Sequence, residues 1–128
     1  MEWSFRSDQP IYTQLIAGLK QDIVSGALPP GARLPSVRDL AMEAGVNPNT
    51  MQRALQELER SGMVYSQRTS GRFVTEDTAV IDRAKKSLAD EKLREFLEAM
   101  NKLGYSREDI LSLLTEKKEE KQDADSGM

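Results

Sequence analysis

The stretch from residue 36 to residue 58 decides the fold, and it reads SVRDLAMEAGVNPNTMQRALQEL. Ser36 is a good helix N-cap, and apolar residues follow it at helical spacing. Gly45 can adopt the left-handed backbone that a sharp turn between two helices needs. Asn47 then offers a second N-cap, and Pro48 suits the first position of the helix that follows. The stretch therefore predicts two helices joined by a tight turn.

Outward from this stretch, the pattern predicts a helix before it and a β-hairpin after it. The first helix starts at Pro10 and ends at Gly26. Residues 63–67 alternate apolar and polar like a strand, residues 68–71 form a turn, and residues 72–75 return. The order of helix, helix, tight turn, helix and hairpin is that of a winged helix-turn-helix. The predicted fold class is mainly α with a small β-hairpin, followed by C-terminal helices.

The chain after residue 75 changes to amphipathic helices with charges between the apolar positions. Gly104 breaks the first of them, and Ser106 caps the next, with Asp109 at its capping-box position. One or two helices cannot cover such a stripe alone, so burial against a second subunit is favoured over a small-molecule pocket. The side chains expected to form this dimer contact are Ile81, Ala84, Leu88, Phe96, Leu97, Met100, Leu103, Ile110, Leu113 and Leu114.

The amino-acid composition excludes several classes of function. The chain contains no cysteine and no histidine, so it has neither a disulfide scaffold nor the commonest zinc ligand and general base. With no phosphate-cradling glycine loop and no paired carboxylates in an apolar context, we expect no metal, no cofactor and no enzyme. There is no membrane-length apolar run and no secretion-signal pattern, which predicts a cytoplasmic protein.

The charge is distributed unevenly along the chain. The net charge is −3, but residues 1–75 carry eight Lys or Arg against seven Asp or Glu, whereas residues 76–128 carry ten against fourteen. Because local potential guides a polyanion, a DNA-binding face must lie in the first part. We therefore divide the chain into a winged helix-turn-helix DNA-binding domain at 1–75, a helical dimerisation element at 76–121 and a disordered tail at 122–128.

The helix after the tight turn carries side chains suited to reading DNA. The major groove is about 12 Å wide and admits one helix, while a wing reaches the backbone or the minor groove beside it. Asn and Gln can pair with adenine, and Arg with guanine or phosphate. The candidate DNA contacts are Arg38 on the bracing helix, Asn47, Asn49, Thr50, Gln52 and Arg53 on the recognition helix, and Arg68, Thr69, Ser70, Gly71 and Arg72 on the wing.

Each of these side chains also has an ordinary structural interpretation. Arg38 could pair with Asp39 or Glu43, and Arg53 could pair with Glu57 four residues on. The asparagine before the recognition helix could act only as a helix cap, and the wing arginines could be ordinary hairpin charges.

The N-terminal segment and the remaining function classes are simpler to interpret. Residues 1–9 are expected to form a loose arm, in which Trp3 and Phe5 are packing residues rather than a ligand platform. A protein-interaction module would present a neutral or acidic recognition face, but residues 47–53 contain no acid. An RNA-binding role would need stacking aromatics on an open face, and most of the seven aromatics are at core-like positions.

Three segments of the chain together resemble the GntR family of bacterial transcription regulators. They are residues 34–41 (LPSVRDLA), residues 45–59 (GVNPNTMQRALQELE) and residues 62–64 (GMV), and the similarity extends over about residues 8–75. The short remainder resembles the YtrA-like subfamily, in which the C-terminal helices serve dimerisation. The resemblance implies a repressor that binds a palindromic operator as a homodimer, with any small-molecule effector disfavoured.

The resemblance also implies which positions contact DNA. By position, the family's contacts fall on Arg38, on the recognition-helix residues above and on the wing around Gly71. Many family members have a basic residue where this chain has Pro48, so a base contact made from that position is absent or moved here.

Overall fold

Within the residues that the structure describes, five helices and one β-hairpin follow one another in the predicted order. The computed structural model describes the backbone of residues 3–126 and the side chains of residues 3–117. The elements are α1 (Ile11–Val24), α2 (Val37–Ala44), α3 (Pro48–Arg60), β1 (Val64–Gln67), β2 (Gly71–Val74), α4 (Thr78–Lys102) and α5 (Arg107–Ser126). The fold class predicted from the sequence is confirmed.

The chain divides into two units, residues 1–86 and residues 87–128, and the division falls inside α4. In the first unit, α1, α2, α3 and the hairpin bury their apolar rows in one core. Helical spacing of three and four residues places these side chains on a single face of each helix. The core consists of Leu15, Leu19, Ile23, Leu34, Leu40, Ala41, Met51, Ala54, Leu55, Leu58, Met63, Val64, Val74 and Ile81.

The start of α4 belongs to the first unit. Ile81 is buried in that unit's core, and Ala84 packs against the core from one turn further along the helix. Neighbours in their own chain thus bury Ile81 and cover Ala84 in part, and the assignment of these two residues to the dimer contact stays a prediction. The sequence shows a continuous apolar stripe from residue 81 to residue 114. Periodicity does not show which part of this stripe packs against the chain's own core and which part is left for another chain.

The N-terminal segment is attached to α1, so the expected loose arm is wrong. Trp3 stacks on Phe5 with ring centroids 5.5 Å apart, and both rings pack against the core. The Arg6 backbone N–H donates to Gln14 Oε1 at 2.8 Å, and Gln14 Nε2 donates back to the Arg6 carbonyl at 2.8 Å. Gly18 makes room for the indole, since a Cβ there would lie 2.7 Å from Trp3. The prediction that the two aromatics are packing residues is confirmed.

In the second unit, α4 ends before Gly104, and α5 begins with a full capping box. The Ser106 backbone N–H donates to Asp109 Oδ2 at 2.9 Å, and the Asp109 backbone N–H donates to Ser106 Oγ at 3.1 Å. Hydrogen bonds to the Asp109 carboxylate from the Ser106 backbone N–H, and then from the Ser106 side chain, hold the pKa of that carboxyl below its usual value. Ile110 is buried, whereas several apolar side chains are exposed: Leu93, Phe96, Leu103, Tyr105, Leu111 and Leu114.

The end of α5 overlaps the predicted tail. The helix continues to Ser126 and so includes most of the segment 122–128 that was expected to be disordered. Residues 117–121 before it are all Lys or Glu, which favour helix, as do Gln122 and Ala124 within it. Residues 127–128 lie outside the described residues, so the tail stays a prediction.

We predict that replacing Leu55 with alanine lowers the free energy of unfolding by about 2–5 kcal/mol, because it leaves a cavity in the core. Its neighbour Gln56 is exposed on the same helix, so Gln56→Ala serves as the control and should change stability by less than about 0.5 kcal/mol. Urea unfolding followed by circular dichroism measures both. Equal losses in the two variants would contradict the assignment of Leu55 to the core.

Candidate nucleic-acid interface

Hydrogen bonds define both ends of α2, and those at its C-terminal end fix the turn into α3. Ser36 Oγ accepts from the Asp39 backbone N–H at 3.1 Å and so caps α2. Gly45 adopts the left-handed conformation at φ 68° and ψ 36°, and the Val46 N–H donates to the Ala41 carbonyl at 3.0 Å. The chain therefore leaves α2 in one defined direction, which sets the start of α3.

The first turn of α3 is capped by Asn47, as predicted. Its Oδ1 accepts from the Asn49 backbone N–H at 2.7 Å. Pro48 follows at the first helical position, where its missing N–H leaves no bond unmade. Pro48 thus contributes to helix initiation at a position where it offers no polar side chain.

The outer face of α3 is polar and carries no acid in its first two turns. Asn49, Arg53 and Gln56 are exposed and recur at intervals of four and three residues, which places them on one face. Thr50 and Gln52 are half-buried on either side of this row. The sequence analysis did not include Gln56, although the same periodicity that assigned the buried row would have found it.

Arg53 lies against an aromatic ring of α1. Its guanidinium carbon is 4.8 Å from the centroid of the Tyr12 ring, which is a cation–π contact. Glu57, the alternative partner for Arg53 in the sequence analysis, bonds instead to Arg60. Tyr12 is a second residue that the sequence analysis missed, because no sequence pattern shows which α1 residue faces α3.

Arg38 is exposed on α2. The hydrogen bonds and ion pairs described within residues 3–117 do not join its guanidinium to Asp39, one of the two partners considered from the sequence. An exposed cation at this position can approach a phosphate.

The wing is a two-stranded antiparallel hairpin in which Val64 pairs with Val74 and Gln67 pairs with Gly71. Its tip, residues 68–70, is exposed and is closed by the Ser70 N–H donating to the Gln67 carbonyl at 3.1 Å. Arg68, Thr69 and Ser70 are therefore presented to solvent together, whereas Gly71 begins the return strand.

Arg72 differs from the other predicted wing contacts because it connects the wing to α3. Its Nε lies 2.8 Å from Glu59 Oε1, and its Nη1 donates to Gln52 Oε1 at 3.4 Å. The Arg72 side chain is only 18% exposed. The Ser66 hydroxyl also donates to Glu59, and this bond, ahead of those from Arg72, holds the pKa of Glu59 below its usual value despite partial burial.

Two features are absent from the described part of the chain. No helix in this part of the chain is long and apolar enough to cross a membrane. Across the same residues, no group of three or more His, Cys, Asp or Glu is placed to hold a metal ion.

The match to a protein family lies within the first 75 residues. Residues 11–74 match the family described as bacterial regulatory proteins, gntR family. The chain belongs to the GntR family. It is 40% identical over 111 residues to the uncharacterized HTH-type transcriptional regulator YhcF of Bacillus subtilis, covering 87% of this chain and 92% of that protein. It is 37% identical over 93 residues to the HTH-type transcriptional repressor YtrA of the same organism, covering 72% of each.

Solved structures of GntR-type and other regulators share the fold of this chain. A GntR family transcriptional regulator from Listeria monocytogenes superimposes with a TM-score of 0.80 at 36% identity, covering 88% of this chain and 98% of that one. The DNA-binding domain of AraR in complex with operator ORX1 aligns with a TM-score of 0.51 at 26% identity, over 59% of this chain and 93% of that one.

Family membership confirms the coarser part of the functional prediction, that of a transcription regulator. The protein is a GntR-type transcription regulator with a winged helix-turn-helix, and its similarity to YtrA extends through most of the chain. The family and these relatives are regulators and not enzymes. The individual DNA contacts stay predictions.

The bonds to Glu59 predict a pH dependence of stability. Because its folded pKa is lowered from the usual 4.5, Glu59 contributes stability above that value and loses it as the pH falls through the folded pKa. We expect Glu59→Gln to lose less unfolding free energy than the natural protein between about pH 6 and about pH 3. Urea unfolding at several pH values measures this.

Ser66→Ala provides the matched control for the pH experiment. It removes the largest cause of the lowered pKa but keeps the carboxylate and Arg72, so its pH dependence should fall between those of the other two proteins. Identical pH profiles for all three would show that the connection between α3 and the wing does not depend on the charge of Glu59.

Proposed function

We propose that this regulator is a repressor that binds a palindromic operator as a homodimer in the cytoplasm. The observation that carries the proposal is the outer face of α3, where Asn49, Arg53 and Gln56 are exposed in one row. Exposed arginines lie on the neighbouring elements, Arg38 on α2 and Arg68 at the wing tip. A polar row on a helix that fits the major groove, with cations on both adjacent elements, suits base reading combined with backbone contacts.

In this arrangement the roles divide between bases and phosphates. Asn49 and Gln56 offer amides that can pair with adenine, and Arg53 can reach guanine or a phosphate. Pro48 offers no polar group, so base reading depends on the side chains further along α3. Arg38 and the wing tip would contact the DNA backbone on either side, where contacts position the protein without reading sequence.

Two relatives support the finer points of the proposal. YtrA is named a transcriptional repressor, and the AraR DNA-binding domain was solved in complex with operators. Both share the fold of the first unit with this chain, which favours the same mode of action here.

The second unit supports the homodimer. Leu103 is 72% exposed and Leu114 is 54% exposed, and Leu93, Phe96 and Leu111 are exposed as well. Apolar side chains of this size on two neighbouring helices are typical of a surface that another chain covers. A second copy of this chain suits a DNA site whose halves are related by a two-fold axis, since a two-fold protein presents two α3 helices about 34 Å apart.

The DNA contacts are tested by binding measurements. Selection from random double-stranded DNA should yield a palindrome with half-sites about 10 base pairs apart. Arg53→Ala and Arg38→Ala should each weaken binding to that sequence by about tenfold, because each removes a cationic contact. Gel shift or fluorescence anisotropy at fixed salt measures the affinity.

Arg83→Ala is the matched control for these two variants. Arg83 is an exposed arginine on α4, outside α2, α3 and the wing, and its removal should leave the affinity unchanged. All variants should unfold at the same urea concentration as the natural protein. Recovery of no preferred sequence would refute the proposed function, and unchanged affinity in Arg38→Ala or Arg53→Ala would remove that residue from the site.

The homodimer is tested by its oligomeric state. Replacing both Leu103 and Leu114 with glutamate should raise the dimer dissociation constant by at least about 30-fold, because two charges would be buried at the contact. Analytical ultracentrifugation measures the constant, and circular dichroism checks that the helices persist. Met42→Glu is the control, since Met42 is 75% exposed on α2 and lies outside the proposed contact.

The outcomes of this experiment are distinct. A double variant that stays dimeric would place the contact elsewhere. A natural protein that sediments as a monomer at concentrations well above those needed for DNA binding would refute the homodimer.

A further inference from the structure

Arg33 is carried by a short segment that pairs with the open edge of the wing. Arg33 forms an antiparallel bridge with Phe73 of β2. On either side of that bridge, the Leu34 N–H donates to the Arg72 carbonyl at 2.9 Å and the Val74 N–H donates to the Ala32 carbonyl at 2.8 Å. These bonds fix the Arg33 backbone beside β2 and make it part of the wing, although it precedes α2 in the sequence.

The Arg33 side chain runs along the wing toward its tip. A Cβ added to Gly71 would lie 3.2 Å from Arg33 Nε, a closer approach than most side chains tolerate. Gly71 also has a φ of 106°, a backbone conformation that favours glycine. The glycine at the end of the wing tip therefore leaves room for a guanidinium beside residues 68–70.

The guanidinium of Arg33 can contact a partner outside the protein, whereas that of Arg72 is already paired within it. Arg72 is paired with Glu59 and is mostly covered. Arg33 is exposed, and the hydrogen bonds and ion pairs within residues 3–117 do not include its guanidinium. On this edge of the wing, Arg33 is thus the cation that can meet an outside partner without giving up a partner in the protein.

An opening of about 500 Å³ lies between this edge of the wing and the start of α2. Arg33, Ser36, Gly71 and Arg72 contribute to its lining, together with one carboxylate, that of Asp39. We infer that Arg33 binds a backbone phosphate of the DNA at this opening, an inference that rests on the proposed DNA-binding function. The contact would extend the line of backbone-binding cations from Arg38 on α2 to Arg68 at the wing tip.

The test is the salt dependence of DNA binding by Arg33→Gln. A phosphate contact carries no sequence information, so affinity for the selected operator and for a scrambled duplex should fall by the same factor, about 3- to 5-fold. The slope of log affinity against log salt should decrease by about 0.9, the value for one phosphate contact on duplex DNA. Fluorescence anisotropy with both duplexes over a range of salt concentrations measures the factor and the slope.

Two variants make the measurement specific. Asp39→Asn removes the one acid that lines the opening but keeps the backbone N–H that Ser36 accepts from, so it should strengthen binding to both duplexes. Arg83→Gln removes an exposed arginine of α4, outside α2, α3 and the wing, and should change neither affinity nor slope. Urea unfolding of each variant separates a lost contact from a loss of folded protein.

The inference is overturned if Arg33→Gln leaves the salt slope unchanged. It is also overturned if the loss is confined to the selected operator, because that result would make Arg33 a base reader. The scrambled duplex keeps this test separate from the proposed function, since a phosphate contact affects the slope on any sequence. Failure of the natural protein to prefer any sequence would refute the operator-binding proposal alone.

Discussion

The direction in which the chain leaves α2 governs the rest of the DNA-binding unit. Gly45 makes that change of direction in the left-handed conformation, and a Cβ built on it would meet no atom within 4 Å. Glycine is therefore favoured here by backbone conformation and not by lack of space, because the left-handed conformation is energetically unfavourable for other residues. Once the turn is set, the buried row of α3 meets the core of α1, and its opposite face is left for a partner.

The way the wing is attached to α3 decides which arginines of the DNA-binding unit stay exposed. The ion pair between Arg72 of the wing and Glu59 connects β2 to α3. Because Arg72 is paired and mostly covered, it stabilises the wing and adds little positive potential at the surface. Exposed arginines remain on several elements: Arg33 beside the wing, Arg38 on α2, Arg53 on α3 and Arg68 at the wing tip. A chain with net charge −3 can in this way present a cationic surface to a polyanion, because potential near a surface depends on the nearest charges.

The sequence predicted well what is decided by neighbouring residues and poorly what is decided across the fold. The caps at Ser36 and Asn47 form within three residues of chain, so their spacing is visible in the sequence. Gln56 obeys the same helical period and could have been included. The bridge that brings Arg33 to the wing and the packing of Trp3 on the core join segments far apart in sequence. Periodicity assigns a residue to a face but does not identify what covers that face.

The small number of side chains on the outer face of α3 explains why a single copy would discriminate poorly between sequences. Pro48 contributes no polar group, which leaves three exposed side chains in the row from Asn49 to Gln56. A mismatched base pair costs about 1–3 kcal/mol of binding free energy. Three candidate base-contacting side chains therefore give limited discrimination among the many competing sites of a genome. Two copies on a palindrome double the number of base contacts. The exposed leucines of the second unit, on a chain with so few base readers, are therefore consistent with recognition that depends on pairing.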